Sequence, residues 1–379
     1  MTACDSAAEH PTSTPTHPVA VTSTPIGGLP PFSDWRVVYA DVNGHLHAIS
    51  TDGKNDVAGP TLVGLSPVYL GRPTISSTGQ YLAYASTLGV SIIDLLGQQA
   101  PIAYRGFNPV IVPRGFAWSP DGTELAVDGD GDEKGIIHIP DLAIRRIPLI
   151  PNANLALIRW IDSNHIAGYY VRIIPPTPGP SPTEYSSGPQ SEIQTVALGV
   201  EDLRTGSNKV VFSLTSNTLS AGELALSPDG HYALLYNGQS GGTPFRPDYR
   251  LIDIATGKWT ALPHIMQTIN SISPFSSVAW RPGTMTLAVS TGFDVNGDLH
   301  TWLLDVQHDT ATALPYQTYV AGWTPDNGPL ILTTGRASIG YKGPFTLSAV
   351  TDPGTPGAKE TKLVDIAYHF NFGGFARTA

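Results

Sequence analysis

Two short acidic stretches carry the residue types that bind calcium. Asp128-Gly-Asp130-Gly-Asp132-Glu133 alternates carboxylates with glycine, and Asp294-Val-Asn296-Gly-Asp298 looks similar. Hard cations take oxygen ligands from such turns, but an EF-hand loop needs a bidentate acid at its twelfth position. Ile139 and Asp305 stand there, and Ile136 and Trp302 occupy the ninth position, where shorter calcium loops want an acid. The Asn-Gly pairs at Asn43-Gly44, Asn237-Gly238 and Asn296-Gly297 are also what a tight hairpin turn demands. The hairpin reading is preferred. Asp128, Asp130 and Asp132 remain a Ca²⁺ candidate, and no other cofactor is expected.

Other chemistry is thinner. Gly238-Gln239-Ser240-Gly241-Gly242 has the letters of a nucleophile elbow but no helix after it, so the strained strand-to-helix turn cannot form. There is no His-Glu-x-x-His and no phosphate-binding Gly-x-x-x-x-Gly-Lys. Of the 11 histidines only His45 and His47 stand at metal-ligand spacing, on one face of a strand, where a surface role is expected.

The elements that must position these residues announce themselves by a repeated turn. It reads Trp118-Ser119-Pro120-Asp121-Gly122, Trp160-Ile161-Asp162-Ser163-Asn164, Leu226-Ser227-Pro228-Asp229-Gly230, Trp280-Arg281-Pro282-Gly283-Thr284 and Trp323-Thr324-Pro325-Asp326-Asn327, with a degenerate copy at Ile75–Gly79. Proline presets φ, aspartate bonds its own backbone, and glycine takes the position that needs positive φ. The first residues of these copies are spaced 43, 42, 66, 54 and 43 apart, counting from Ile75. Insertions at 172–192, with six prolines, and at 237–248 account for the two long intervals. A period near 43 built from short alternating strands is the signature of a β-propeller, one four-stranded blade per repeat.

The predicted fold is therefore all-β: seven blades of four antiparallel strands, A innermost to D outermost. Strands B, C and D of the first blade are read at Trp35–Asp41, Gly44–Ser50 and Asp56–Thr61. Strand A of that blade is read at Asp365–Phe370, so that N- and C-terminal strands close the ring and leave no free inner edge. The domain reading is a Thr/Pro-rich tether over 1–34, the propeller over 35–372 and a tail over 373–379.

The strand–Trp-Ser-Pro-Asp-Gly–strand unit is similar to the WD40-like repeat of the TolB propeller family, also found in propeller domains of prolyl oligopeptidase-type enzymes. The resemblance spans about 35–372 and implies a propeller, without the α/β-hydrolase domain that carries catalysis in those peptidases. Aligned on the turn, Arg72, Arg159, Glu223 and Asp365 come near the axis, as an ion-paired plug or a charged ligand site. The long insertions are B-to-C loops on the face that commonly binds ligands, so Tyr185, Phe245 and Tyr341 are the expected contact residues.

Composition bounds the partners. The 379 residues carry a formal charge of −10, which argues against nucleic acid and anionic membrane surfaces. The lone cysteine, Cys4, excludes a disulfide framework. Met1-Thr2-Ala3-Cys4 resembles the end of a bacterial lipobox, and a spacer-like stretch follows it. The expected protein is extracytoplasmic and lipid-anchored. It binds protein, peptide or glycan without catalysis. Two alternatives stay open: a hydrolase or lyase on glycans or lactones with an axial charged site, and a structural surface-layer component.

Overall fold

Seven four-stranded antiparallel sheets make up the chain. The structure is a computed structural model and describes residues 27–41, 43–64, 73–86, 89–99, 102–104, 115–128, 134–139, 141, 143–147, 154–174, 193–216, 224–238, 247–269, 275–291, 299–334, 345–366 and 372–377. Blade 1 holds β1 (Arg36–Ala40), β2 (His45–Ser50) and β3 (Val57–Thr61). Blade 2 is β4 (Thr74–Ile75), β5 (Tyr81–Ser86), β6 (Gly89–Asp94) and β7 (Ile102–Tyr104). Blade 3 is β8 (Gly115–Trp118), β9 (Glu124–Asp128), β10 (Lys134–His138) and β11 (Ile144–Arg146). Blade 4 is β12 (Asn154–Trp160), β13 (His165–Ile174), β14 (Ile193–Asp202) and β15 (Ser207–Ser216).

Blade 5 is β16 (Leu224–Leu226), β17 (Tyr232–Gly238), β18 (Pro247–Asp253) and β19 (Trp259–Ala261), followed by the short helix α1 (Pro263–Ile269). Blade 6 is β20 (Phe275–Trp280), β21 (Thr286–Thr291), β22 (His300–Asp305) and β23 (Thr310–Leu314). Blade 7 is β24 (Thr318–Trp323), β25 (Leu330–Thr334), β26 (Phe345–Thr351) and β27 (Lys359–Ile366). The last strand, β28 (Phe372–Ala376), returns to blade 1 and pairs with β1. The ring is closed as expected, but by a different segment.

Residues 365–366, read as the start of the closing strand, end β27, the outermost strand of blade 7, where Asp365 pairs with Thr346. The closing ladder sets Phe375 opposite Val37. That is the register in which Trp118 faces Leu125 in blade 3. Phe375 holds the position that tryptophan takes in other blades, and the strand runs past residue 372 into the segment read as a tail.

Each seam between neighbouring blades is filled by one apolar cluster. Leu46, Leu82 and Tyr84 fill the seam of blades 1 and 2, and Ile331, Phe345 and Val37 the seam of blades 7 and 1. The repeated tryptophan ties these seams together. In three blades its Nε1 donates to the carbonyl of the residue just before the equivalent position in the preceding blade: Trp118 to Thr74 at 3.1 Å, Trp160 to Ala117 at 2.8 Å and Trp280 to Ala225 at 3.2 Å. The preceding residue is small because an indole edge lies against it.

The Ser-Pro-Asp-Gly turns are braced as their chemistry requires. Ser119 Oγ donates to Asp121 Oδ1 at 2.6 Å and accepts from the backbone N–H of Glu124 at 2.9 Å. Gly122 takes φ 72°, a value that residues with a Cβ rarely adopt. The A-to-B and C-to-D turns share one end of the ring, here the turn face. The B-to-C and D-to-A connections share the other, the loop face.

Candidate functional site

Blade 4 departs most from the repeat on the loop face. β13, β14 and β15 are each 10 residues long, against 5 or 6 for the middle strands of blades 2, 3 and 6. Pairing continues to Ile174 opposite Ile193 and to Gln194 opposite Ser216. Against the 5-residue middle strands of blade 3 and the 7-residue ones of blade 5, the extra length at about 3.3 Å per residue carries this sheet roughly 10–17 Å beyond its neighbours. Residues 175–192, which join β13 to β14 in the sequence, lie outside the described residues.

The residues expected to act there fall mostly outside the described residues: Tyr185, Phe245, Tyr341, Arg72, Glu223, Asp130, Asp132 and Cys4. Asp128 ends β9, with its backbone opposite Lys134 and Gly115. Of the expected axial ring, Arg159 lies half-buried on the inner strand β12, beside Trp160. Asp365 is a correction. It sits on the exposed outer strand β27, accepting from Thr346 Oγ1 at 2.5 Å and from Lys362 Nζ at 2.8 Å. The misplacement follows from the shifted closing strand. Two other residues at the same aligned position, Ser277 and Val320, are buried against each other: Val320 N–H donates to Ser277 Oγ at 2.9 Å.

His45 and His47 are engaged with carboxylates on blade 1. His45 Nδ1 lies 3.1 Å from Asp41 Oδ2, and His47 Nδ1 lies 3.3 Å from Asp56 Oδ2. Tyr39 donates to Asp56 at 2.8 Å, and burial followed by the Asp56 charge pushes its phenol well above the ordinary value. Among the described residues no group of three or more His, Cys, Asp or Glu is gathered to hold a metal ion.

The turn face holds features that the sequence reading passed over. Histidines follow turn aspartates in three blades: His165 Nδ1 lies 2.8 Å from Asp162, His231 Nδ1 3.4 Å from Asp229, and His308 Nδ1 2.7 Å from Asp305. The Asp-x-His and Asp-x-x-His spacing was the available signal. Partial burial works against ionisation of Asp162, Asp229 and Asp305, but bonds from neighbouring backbone and side chains outweigh it, and all three sit below the usual carboxylate range. Asp202 is lowered chiefly by the N–H of Arg204.

Two recesses open between these turns. One of about 500 Å³ lies at the seam of blades 4 and 5, over Ile161, Val200, Val211 and Ile254. One of about 440 Å³ lies at the seam of blades 5 and 6, beside Asp229, Thr284, Asp305 and Gln307. The Pro228–His231 turn is the ridge between them, contributing Gly230 and His231 to the first and Pro228 and Asp229 to the second.

Glu201 is the strongest anomaly in the seams. It is 1% exposed at the end of β14, and neither carboxylate oxygen has a hydrogen-bond partner among the described residues. Burial, opposed by Arg145, pushes its carboxyl up to about 7 from 4.5. Folding therefore favours the protonated form, and this contribution is complete below about pH 4.5 and lost as pH rises through about 7. Glu201→Gln is expected to remove that slope and to gain on the order of 2–3 kcal/mol at pH 8 relative to wild type. Urea unfolding of both proteins at pH 5 and pH 8 checks it. Equal pH dependence in the two would refute the assignment.

No family model matches the chain, and no curated protein matches it. Among solved structures, a chain of the mitotic checkpoint complex aligns with TM-score 0.55 and 16% identity over 81% of this chain and 82% of that one. An oligogalacturonate lyase from Vibrio parahaemolyticus aligns with TM-score 0.56 and 13% identity over 89% of this chain and 86% of that one. A chain of a checkpoint complex and a lyase share this architecture, and at such identities the likeness extends to the fold alone: the chain is a seven-bladed β-propeller.

Proposed function

We propose that the protein is a non-enzymatic binding module of the TolB-like WD40 type, exported and tethered through Cys4, that engages a protein, peptide or glycan on its loop face. The observation that carries this reading is the blade 4 sheet, whose three long strands rise beyond the ring. A propeller needs no such extension to close its seams. Loops positioned by a rigid scaffold are where binding residues concentrate. Tyr185 on the blade 4 segment, with Phe245 and Tyr341 on the insertions of blades 5 and 7, supplies the aromatic side chains that dominate interface energetics.

The test replaces residues 175–192 by Asn-Gly, which suits the two-residue hairpin that would rejoin β13 to β14. Wild type and variant are compared on a glycan array and against envelope proteins of the producing cell by quantitative cross-linking. Every ligand retained by wild type is expected to weaken at least about 30-fold in the deletion, the loss of roughly 2 kcal/mol typical of a central aromatic contact. The unfolding midpoint of the ring should not change. Undiminished binding by a folded deletion variant would sink the proposal.

A further inference from the structure

The opposite end of the ring carries two recesses whose reading does not depend on the loop face. The two recesses stand as two lobes on either side of the Pro228–His231 turn, across blades 4, 5 and 6. The first lobe has an apolar floor of Ile161, Val200, Val211 and Ile254. The backbone carbonyl of Ile161 lies so close to Gly230 that a Cβ there would stand 2.7 Å away, which fixes the ridge against blade 4. In β15, Val211 sits at the register break between the pairs Leu198–Phe212 and Gly199–Val210, a bulge that fits its turning into this lobe.

The charge around the groove is one-sided. Asp162 and Asp202 line the first lobe and Asp229 and Asp305 the second, whereas Lys209 is the only lysine or arginine among the lining residues. Each of the four carboxylates sits below the usual carboxylate range, held by bonds from its own turn and by an adjacent side chain: His165 at Asp162, Arg204 at Asp202, His231 at Asp229 and His308 at Asp305. Both lobes fall within the volume range of small-ligand sites, and a single turn separates them.

We propose that this groove binds an extended basic peptide, seating an apolar side chain in the lobe between blades 4 and 5 and placing basic side chains at Asp229 and Asp305. The apolar floor supplies affinity, and the carboxylates supply sign selectivity and faster association. Neutral or acidic peptides gain the first without the second.

The probes are three fluorescein-labelled pentapeptides, Arg-Leu-Arg-Leu-Arg, Arg-Ser-Arg-Ser-Arg and Glu-Leu-Glu-Leu-Glu, titrated by anisotropy against the full chain. The Arg-Leu peptide is expected to bind at least tenfold more tightly than either other probe, and to weaken between 50 and 300 mM salt. Three substitutions of exposed lining residues report location. Lys209→Glu should tighten the Arg-Leu peptide about three- to tenfold at low salt, reversing one exposed charge. Gln307→Lys should weaken it by a similar factor, and Ala255→Trp, which fills the apolar lobe, should weaken it at least tenfold. Replacing residues 175–192 should leave it unchanged, which separates this groove from the loop face. Equal binding of all three probes, no binding at all, or binding indifferent to Ala255→Trp and Gln307→Lys would overturn the proposal.

Discussion

A chain ended at residue 371 is expected to lose the closed ring. β28 supplies the inner partner of β1, with Ala376 opposite Arg36, Phe375 opposite Val37, Gly374 opposite Val38 and Phe372 opposite Tyr39. Ala376 belongs to the core between blades 1 and 2, and Phe375 packs against the core between blades 7 and 1. Blade 2 leans on the same segment, since a Cβ on Gly79 would stand 2.8 Å from the backbone N of Arg377. Removing all this exposes two seams and bares the edge of β1 to intermolecular pairing. The loss should exceed about 5 kcal/mol, a large share of a total stability of roughly 5–15 kcal/mol. Size-exclusion chromatography and thermal unfolding should show oligomers and a broad, early transition. Removing only residues 378–379 should change neither. A soluble monomer with an unchanged midpoint after truncation at 371 would place the closing strand elsewhere.

The same region shows where the sequence stopped being readable. Six inner strands could be located because each runs straight into a turn whose residues have backbone jobs: Ser119 and Asp121 bond the turn, and Gly122 takes positive φ. In blade 1 that turn does not exist, because the chain termini fall where it would be. The only remaining signal was alternation, and Asp365–Phe370 and Phe372–Ala376 both carry it weakly. The error moved Asp365 from the outer rim to the axis on paper. Blade 4 was legible as an insertion but not as an extended sheet, since proline-rich length does not reveal how far the flanking strands stay paired. The turn-face groove was less visible still. Its walls come from Asp162, Asp202, Asp229 and Asp305, four turns of three blades, and only the packing of successive blades puts them side by side. Glu201 has no local signature at all, because its burial is made by blade 3 packing over it.

Trp160→Ala is expected to destabilise the ring by about 3–5 kcal/mol, the usual range for deleting a buried aromatic. Trp160 is 9% exposed and packs with Ala117, Ile136 and Ile166 across the seam of blades 3 and 4. Trp160→Phe separates packing from hydrogen bonding. It keeps most of the ring but strands the Ala117 carbonyl that the indole N–H reaches at 2.8 Å, so a cost of about 1–2 kcal/mol is expected. Trp323 supplies the contrast. It is 5% exposed at the seam of blades 6 and 7, yet its Nε1 is buried with no acceptor among the described residues, and Arg281 stacks 4.9 Å from its ring. Replacing it by phenylalanine removes a polar group that is already unpaired, so Trp323→Phe should cost less than Trp160→Phe and approach neutrality. Urea midpoints of the three variants, measured at constant m-value, decide it. Equal penalties for the two Phe variants would mean that the tryptophans hold the blades by volume alone. A larger penalty at Trp160 would show that the inter-blade hydrogen bond contributes separately to the strength of the seams that have it.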